Sequence, residues 1–370
     1  MTPNHKKTAV LQGGGALGAY QAGVLEALIE QNVLLDRVLA TSIGAINGAL
    51  YAGNKPENRV RHLREFWRRV AIHSVQLPFV ATPTTSRWQR SQAQLSAMTL
   101  GVPAFYGPRA GSAWWDWSQE TTASQASFYT HEPLRETLEE LVDFAILNSQ
   151  AVHFSVTAVD IEAATLEVFD NTQQSIHVKH LLASTALPPG FPAVEIDGRM
   201  FWDGALYAAT PLDLLVRDLG DQDTLCFVVD LWQDEAPPPH SINGVFSRQK
   251  EIHYGTRSRE ALNTLREKYR HKAVLRELMA KVPVDALNAE QLAEYRSLVG
   301  TGELQIVHLM LDDDPSMDPI EDPNTDIDFD ASSLQQRREM GIADASTALQ
   351  LSPWKRADRE SFAIYTVPPR

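Results

Sequence analysis

The 370-residue chain contains a single cysteine, Cys226, so no intrachain disulfide can form and nothing requires an oxidising compartment. It also lacks any run approaching the roughly 18 apolar residues of a membrane-spanning helix. The apolar run after the basic N-terminus, Thr8–Leu11, is interrupted by three glycines and is too short for a signal peptide. These absences predict a soluble cytoplasmic protein.

Positive charge is scarce as well. The chain has 33 Lys and Arg against 47 Asp and Glu, a formal net charge of −14. This disfavours a general nucleic-acid binder, which needs a basic surface to neutralise phosphates. It also opposes long-range attraction to anionic membranes but leaves open a local, transient contact with a membrane surface. Hydrophobic residues make up 44% of the chain, enough to exclude disorder as the dominant state.

Two strand–turn–helix units begin the chain. Strands are predicted at Thr8–Gln12 and Arg37–Thr41, and helices follow at Ala19–Asn32 and Ile43–Ala52. Repeated pairs of this kind predict an α/β fold with a mainly parallel central sheet between two helical layers. Functional sites in such sheets form at the carboxyl ends of the strands, where both turns lie.

The remainder divides into an irregular segment and a C-terminal extension. Residues 75–130 are rich in Pro, Ser, Thr and Gly, and their aromatic residues are interpreted either as core anchors under a long loop or as a lid or acyl-chain surface. These aromatic residues are Trp88, Phe105, Tyr106, Trp114, Trp115 and Trp117. A composition shift after three consecutive prolines predicts a catalytic domain over 7–232 and a mostly helical extension over 233–370.

Further elements follow from hydrophobic periodicity. Strands are predicted at Val152–Val159, Leu166–Phe169, Val194–Ile196, Arg199–Trp202, Thr224–Asp230 and Leu304–Leu311. Helices are predicted at Arg59–Val70, Leu134–Phe144, Ser247–Lys281 and Ser332–Leu349.

The first motif is a glycine-rich loop between the first strand and helix. Gly13, Gly14 and Gly15 leave backbone N–H groups free of Cβ obstruction, close to the positive end of a helix dipole. Such a loop can hold a cofactor phosphate or the oxyanion of an acyl-transfer intermediate. With Gly18 it also fits the dinucleotide-binding pattern, although Asp36 precedes the second strand instead of ending it. A purely structural turn is the third alternative.

The second motif is a serine between the second strand and helix. Ser42, followed by Gly44, has the placement of a nucleophile elbow, where small neighbours let strand and helix approach closely. Ala40 stands where the elbow pattern has its first glycine. The alternative is an ordinary serine N-cap.

The third motif is Asp203-Gly204-Ala205, directly after the strand Arg199–Trp202. A serine nucleophile needs a base within hydrogen-bond reach, and an aspartate can serve as one. Taken alone, however, an Asp-Gly pair is typical of a turn.

Together the three motifs resemble the patatin-like phospholipase family, in its bacterial type. That family has a glycine-rich oxyanion loop, an elbow serine about 25 residues later and a distal Asp-Gly-Gly or Asp-Gly-Ala. The resemblance covers roughly residues 7–232 and is carried by Leu11–Leu28, Ala40–Leu50 and Ala183–Pro211. Besides Ala40, the chain departs from many members at Gln12 and Leu17, and neither position holds a reacting group.

The resemblance implies a serine lipid acyl hydrolase with a Ser–Asp dyad and an acyl-serine intermediate. Ser42 would be the nucleophile and Asp203 the base, and the amides of Gly13–Gly15 and Ile43 would form the oxyanion hole. Burial is expected to raise the pKa of Asp203, since aspartate is a weak base at its reference value. No metal and no organic cofactor is implied, and the partner is a lipid or other acyl ester.

Three other functions stay open at this point. The fold could carry a non-catalytic lipid-binding protein, an acyltransferase that uses an acceptor other than water, or, more remotely, a dinucleotide-dependent oxidoreductase. The sequence does not distinguish among phospholipid, lysophospholipid, neutral lipid and polyester substrates, and it leaves the oligomeric state open.

Overall fold

A single large sheet collects strands from both ends of the chain. The computed structural model describes residues 5–73, 83–109, 118, 120–217, 222–283, 286–299, 302–311, 322, 324–356 and 360–367. The strands are β1 (Lys6–Leu11), β2 (Arg37–Thr41), β3 (Gly107–Pro108), β4 (Tyr129–Thr130), β5 (His153–Asp160), β6 (Thr165–Asp170), β7 (Val194–Ile196), β8 (Arg199–Asp203), β9 (Thr224–Asp230), β10 (Leu304–Met310) and β11 (Phe362–Val367).

The α-helices lie between these strands along the chain, in places two or three in succession. They are α1 (Ala19–Glu30), α2 (Ile43–Ala52), α3 (Pro56–Arg69), α4 (Pro83–Leu100), α5 (Glu132–Leu141), α6 (Phe144–Asn148), α7 (Val178–Ser184), α8 (Leu212–Arg217), α9 (Ile242–Met279), α10 (Ala289–Val299) and α11 (Ala331–Leu351). Across the described part of the chain, every helix is too short or too polar to traverse a bilayer.

The main sheet has nine strands, of which eight follow the order β11-β10-β9-β1-β2-β5-β8-β7, while β6 pairs with β5 off this path. The six strands from β11 to β5 are parallel, and β6, β7 and β8 pair antiparallel. The predicted fold class, a mainly parallel sheet within three layers, is confirmed.

Side chains of the central strands alternate between two apolar layers, as successive residues of a strand must. On β1, Leu11 belongs to the core under α1, α2, α3 and α11, while Val10 belongs to the core under α8 and α9. On β9, Val229 likewise belongs to the first of these cores and Val228 to the second. Strands buried on both faces explain the continuous apolar runs of the sequence.

The region 233–370 is integrated with this sheet. The predicted strand Leu304–Leu311 is β10, which pairs in parallel with β9. α11 packs on α1 so closely that a Cβ on Gly341 would lie 2.1 Å from the carbonyl oxygen of Tyr20. Arg338 of α11 donates two hydrogen bonds, of 2.6 and 2.8 Å, to the fully buried carboxylate of Glu26. The proposed boundary at 232/233 stays a prediction.

The segment 75–130 is more regular than expected, because α4 occupies 83–100. Phe105 and Tyr106 are buried in the core, as the anchor interpretation predicts, whereas Trp88 is 44% exposed. Trp114, Trp115 and Trp117 lie outside the described residues.

Candidate active site

Ser42 forms the sharp turn between β2 and α2. It is the one residue between the end of β2 at Thr41 and the start of α2 at Ile43. Its φ of +56° places a non-glycine residue in a strained region, which costs about 1–3 kcal/mol. Although Ser42 occupies the N-cap position, its hydroxyl caps no amide of α2. The geometry therefore favours the elbow over the simple N-cap.

The carboxylate of Asp203 meets this hydroxyl. Asp203 ends β8 and is 1% exposed. The Ser42 hydroxyl donates a 2.7 Å hydrogen bond to its Oδ2, and the amide of Ala205 donates a 2.8 Å bond to its Oδ1. The Asp-Gly turn thus holds one carboxylate oxygen and leaves the other directed at the serine.

Burial raises the pKa of Asp203 to about 7, although the bonds from Ala205 and Ser42 act in the opposite direction. Desolvation disfavours the charged form of a carboxyl group, and it is the dominant cause here. A carboxylate with this pKa is a much stronger base than an ordinary aspartate and is still substantially ionised at neutral pH. The upward shift agrees with the expectation from the sequence.

Three amides near Ser42 have no acceptor among the described residues, namely those of Gly14, Gly15 and Ile43. The amide of Ile43 is free because it lies in the first turn of α2, where the helix dipole also favours negative charge. The amide of Gly13 differs from the prediction, since it donates a 3.1 Å bond to the carbonyl of Ala209.

The glycines of the motifs lie where neighbouring atoms leave little or no room for a side chain. A Cβ on Gly44 would lie 2.4 Å from the carbonyl oxygen of Leu11, where α2 crosses β1. Likewise, Cβ atoms on the other motif glycines would lie 3.0 Å from Ser42 Cβ (Gly13), 2.5 Å from the Ile43 side chain (Gly18) and 2.4 Å from the Thr157 hydroxyl (Gly204). Ala40, the departure from the elbow pattern, is fully buried in β2.

Residues near position 232 hold the glycine loop from the side of β9. The Trp232 indole donates a 2.9 Å bond to the carbonyl of Gly13. The side-chain oxygen of Gln12 accepts from the amides of Leu231 and Trp232, and its Nε2 donates a 3.3 Å bond to the carbonyl of Tyr254 on α9. Gln12 therefore links the loop to the extension.

The short 3₁₀ helix Thr325–Ile327 lies against the other side of the loop. The carbonyl oxygen of Asp326 would be 2.3 Å from a Cβ on Gly15, so only a glycine fits. The Asp326 carboxylate pairs with Lys250 of α9 at 2.8 Å.

The dinucleotide alternative has no support in this arrangement. Asp36, its candidate ribose ligand, accepts a 2.7 Å bond from the amide of Lys7 near the start of β1. Asp36 therefore lies at the amino ends of the strands, whereas the glycine loop lies at their carboxyl ends.

Sequence reasoning missed several residues that surround the pair. Ser184 of α7 accepts a 2.9 Å bond from the amide of Ser42, and it lies within the segment that carries the family resemblance. Tyr254 and Asp326 belong to the extension, and no catalytic motif contains them. Their approach to the site follows from long-range packing alone.

Two family models match the chain. One, described as patatin-like phospholipase, covers residues 9–216, and the other, described as patatin phospholipase, covers residues 252–361. Because the first match spans more than half of the chain, the chain belongs to the patatin-like phospholipase family.

Individual relatives match over short segments. Human patatin-like phospholipase domain-containing protein 6 is 45% identical over 84 residues, which is 22% of this chain and 6% of that protein. Lysophospholipase nte1 of Aspergillus terreus is 58% identical over 43 residues, which is 12% of this chain and 3% of that protein. The matches thus span only a small part of these relatives. The crystal structure of VipD from Legionella pneumophila aligns with 98% of this chain and 72% of its own, at 14% identity and a TM-score of 0.35.

Proposed function

We propose that the protein is a lipid acyl hydrolase that works through a Ser42–Asp203 dyad. The observation that carries the proposal is the 2.7 Å bond between the two side chains, beside amides that have no acceptor among the described residues. Family membership supports a lipid substrate. The same contacts account for nucleophile, base and oxyanion donors without a metal or a cofactor.

In the first half-reaction, Ser42 Oγ attacks the carbonyl carbon of the ester, and its proton passes to Asp203. The amides of Gly14, Gly15 and Ile43 stabilise the oxyanion that develops. The tetrahedral intermediate collapses, the alcohol leaves with the proton from Asp203, and the acyl group stays on Ser42.

In the second half-reaction, Asp203 removes a proton from water, which attacks the acyl-serine. Collapse releases the fatty acid and returns the proton to Ser42. The pKa of about 7 suits both directions of transfer, because such a group gains and loses a proton readily near neutral pH.

Labelling with a fluorophosphonate probe, followed by mass mapping, tests the nucleophile. We expect the adduct at Ser42 in native protein and no adduct in heat-denatured protein. Hydrolysis of a lipid panel should fall by about 10³-fold or more in both Ser42→Ala and Asp203→Asn. Folded wild-type protein without an adduct at Ser42 would rule the mechanism out.

The lipid-panel assay also separates the remaining alternative functions. A non-catalytic lipid-binding protein would show no turnover that depends on Ser42. An acyltransferase would transfer the acyl group to an added acceptor alcohol in preference to water, so product analysis with and without acceptors distinguishes it from a hydrolase. We expect free fatty acid as the main product.

A further inference from the structure

Tyr254 of α9 is placed beside the site by a continuous chain of contacts. Its ring lies 5.0 Å from the ring of Trp232, whose indole donates to the carbonyl of Gly13. A Cβ on Gly13 would lie 3.0 Å from Cβ of Ser42. The extension therefore brings an aromatic side chain to the glycine loop, from a helix that no motif assigns to catalysis.

The phenol hydroxyl of Tyr254 has no hydrogen-bond partner within the described part of the chain. The residue is partly buried. Burial, followed by the negative charges of Asp203 and Asp326, raises its pKa to about 12. The group is therefore a neutral donor at every pH at which the enzyme would work.

Two cationic side chains that flank Tyr254 on α9 already have partners. Lys250, one turn earlier, pairs with Asp326 at 2.8 Å. Arg257, one turn later, donates to the carbonyls of Leu206 and Tyr207 in the segment after Asp203. Between them, the Tyr254 hydroxyl has no acceptor among the described residues.

We propose that the Tyr254 hydroxyl binds an oxygen of the polar head of the acyl ester, so that the extension supplies a specificity residue. This rests on the proposed function, since the substrate must lie against Ser42 for Tyr254 to reach it. A phenol suits a glyceryl or phosphate oxygen of the head and cannot favour an acyl chain, because the chain offers no acceptor. The contact would orient the ester for attack without taking part in proton transfer.

Tyr254→Phe tests this, because it keeps the ring on Trp232 and removes a hydroxyl that satisfies no described protein group. We expect kcat/KM for a lysophospholipid to fall about tenfold, the usual cost of one hydrogen bond to substrate. Hydrolysis of p-nitrophenyl butyrate, an acyl ester without a glycerol head, should stay within twofold. A monoacylglycerol identifies the acceptor: a fall there as well points to a glyceryl oxygen, and a fall with the lysophospholipid alone points to the phosphate.

Tyr269→Phe is the matched control. Tyr269 lies on the same helix fifteen residues later, is buried, and stacks on Phe362 at 4.6 Å, away from the glycine loop. We expect no change with any of these substrates. If Tyr254→Phe slowed the hydrolysis of all substrates equally, or of none, the inference would be wrong. The proposed function would still stand in that case, provided that the fluorophosphonate labels Ser42. Failure of Ser42 to label in wild type would instead remove the proposed function and this inference with it.

Discussion

Gly15 and Asp326, separated by 311 positions, are in backbone contact: the carbonyl oxygen of Asp326 lies 2.3 Å from the place a Cβ on Gly15 would take. Gly15 also has a φ of +55°, which favours glycine. Its amide is one of those without an acceptor in the described residues. The C-terminal extension thus shapes the loop that is proposed to stabilise the oxyanion.

Gly15→Ala should therefore damage activity and stability together. The methyl group must displace the segment around Asp326 or the loop itself, which redirects the proposed oxyanion donors. We expect kcat to fall by about 10²-fold, the cost of losing one oxyanion donor. Steady-state hydrolysis of p-nitrophenyl butyrate measures this.

Gly198→Ala is the control for backbone strain. Gly198 has a φ of +80°, but a Cβ there would meet nothing within 4 Å. It should cost about 1 kcal/mol in the free energy of unfolding and leave kcat unchanged. Equal activity of the two variants would argue against a role for the Gly15 loop.

The pKa of Asp203 predicts the pH dependence of turnover. In the proposed mechanism Asp203 must be ionised to accept the serine proton, and burial raises its pKa to about 7. We expect kcat/KM for p-nitrophenyl butyrate to rise about tenfold per pH unit below 7 and to level off above it. A profile that is flat between pH 5 and 8 would contradict Asp203 as the base.

The same shift predicts a pH-dependent gain in stability for Asp203→Asn. Below the unfolded pKa of 3.8 the carboxyl is protonated in both states, whereas between 3.8 and about 7 only the unfolded state ionises. Wild-type stability is therefore lost as the pH rises through this range, by about 4 kcal/mol at most. The variant should become more stable relative to wild type between pH 4 and 8, as measured by urea unfolding. A constant difference would mean that the folded-state pKa is not raised.

Local sequence patterns predicted the parts of the fold whose contacts are local. The first two strand–helix units appear within one or two residues of their predicted bounds, because buried apolar runs and glycine turns specify them. Ser42 and Asp203 could be selected because the three motifs together resemble the patatin-like family, whereas an Asp-Gly pair alone is typical of a turn.

The missed elements have weak local signals. α4 is rich in Ser, Thr and Gln without an apolar stripe, and β11 is a six-residue edge strand whose residues are mostly half-buried. Tyr254 and Asp326 reach the site only because α9 and the segment before α11 fold back on the glycine loop that follows β1. Such contacts depend on tertiary packing, which periodicity and motif spacing do not encode.

Asp230 connects three segments near the site. It ends β9, is 2% exposed, and its Oδ1 accepts a 3.1 Å bond from Thr210 in the segment that follows Asp203. Its Oδ2 accepts from the hydroxyl of Ser258 on α9 and, at 2.8 Å, from Nε2 of His308 on β10. The Asp230 carboxylate therefore links α9 and β10 to the segment that follows Asp203. In that segment, the carbonyl of Ala209 accepts the hydrogen bond from the amide of Gly13.

Asp230→Asn should lower both stability and kcat. The side-chain NH₂ of the introduced Asn would face one of the hydroxyl or imidazole donors that now bind the carboxylate. Two donors would then oppose each other, which should lower the free energy of unfolding by about 1–3 kcal/mol. Asp170→Asn is the matched control, because Asp170 also accepts from a histidine, a serine and a threonine, but at the opposite end of β5 from the site. Urea unfolding should register both variants, whereas kcat per Ser42 labelled by fluorophosphonate should fall only in Asp230→Asn. If kcat per labelled Ser42 fell equally in both variants, or in neither, this would show that Asp230 stabilises the fold without positioning the site.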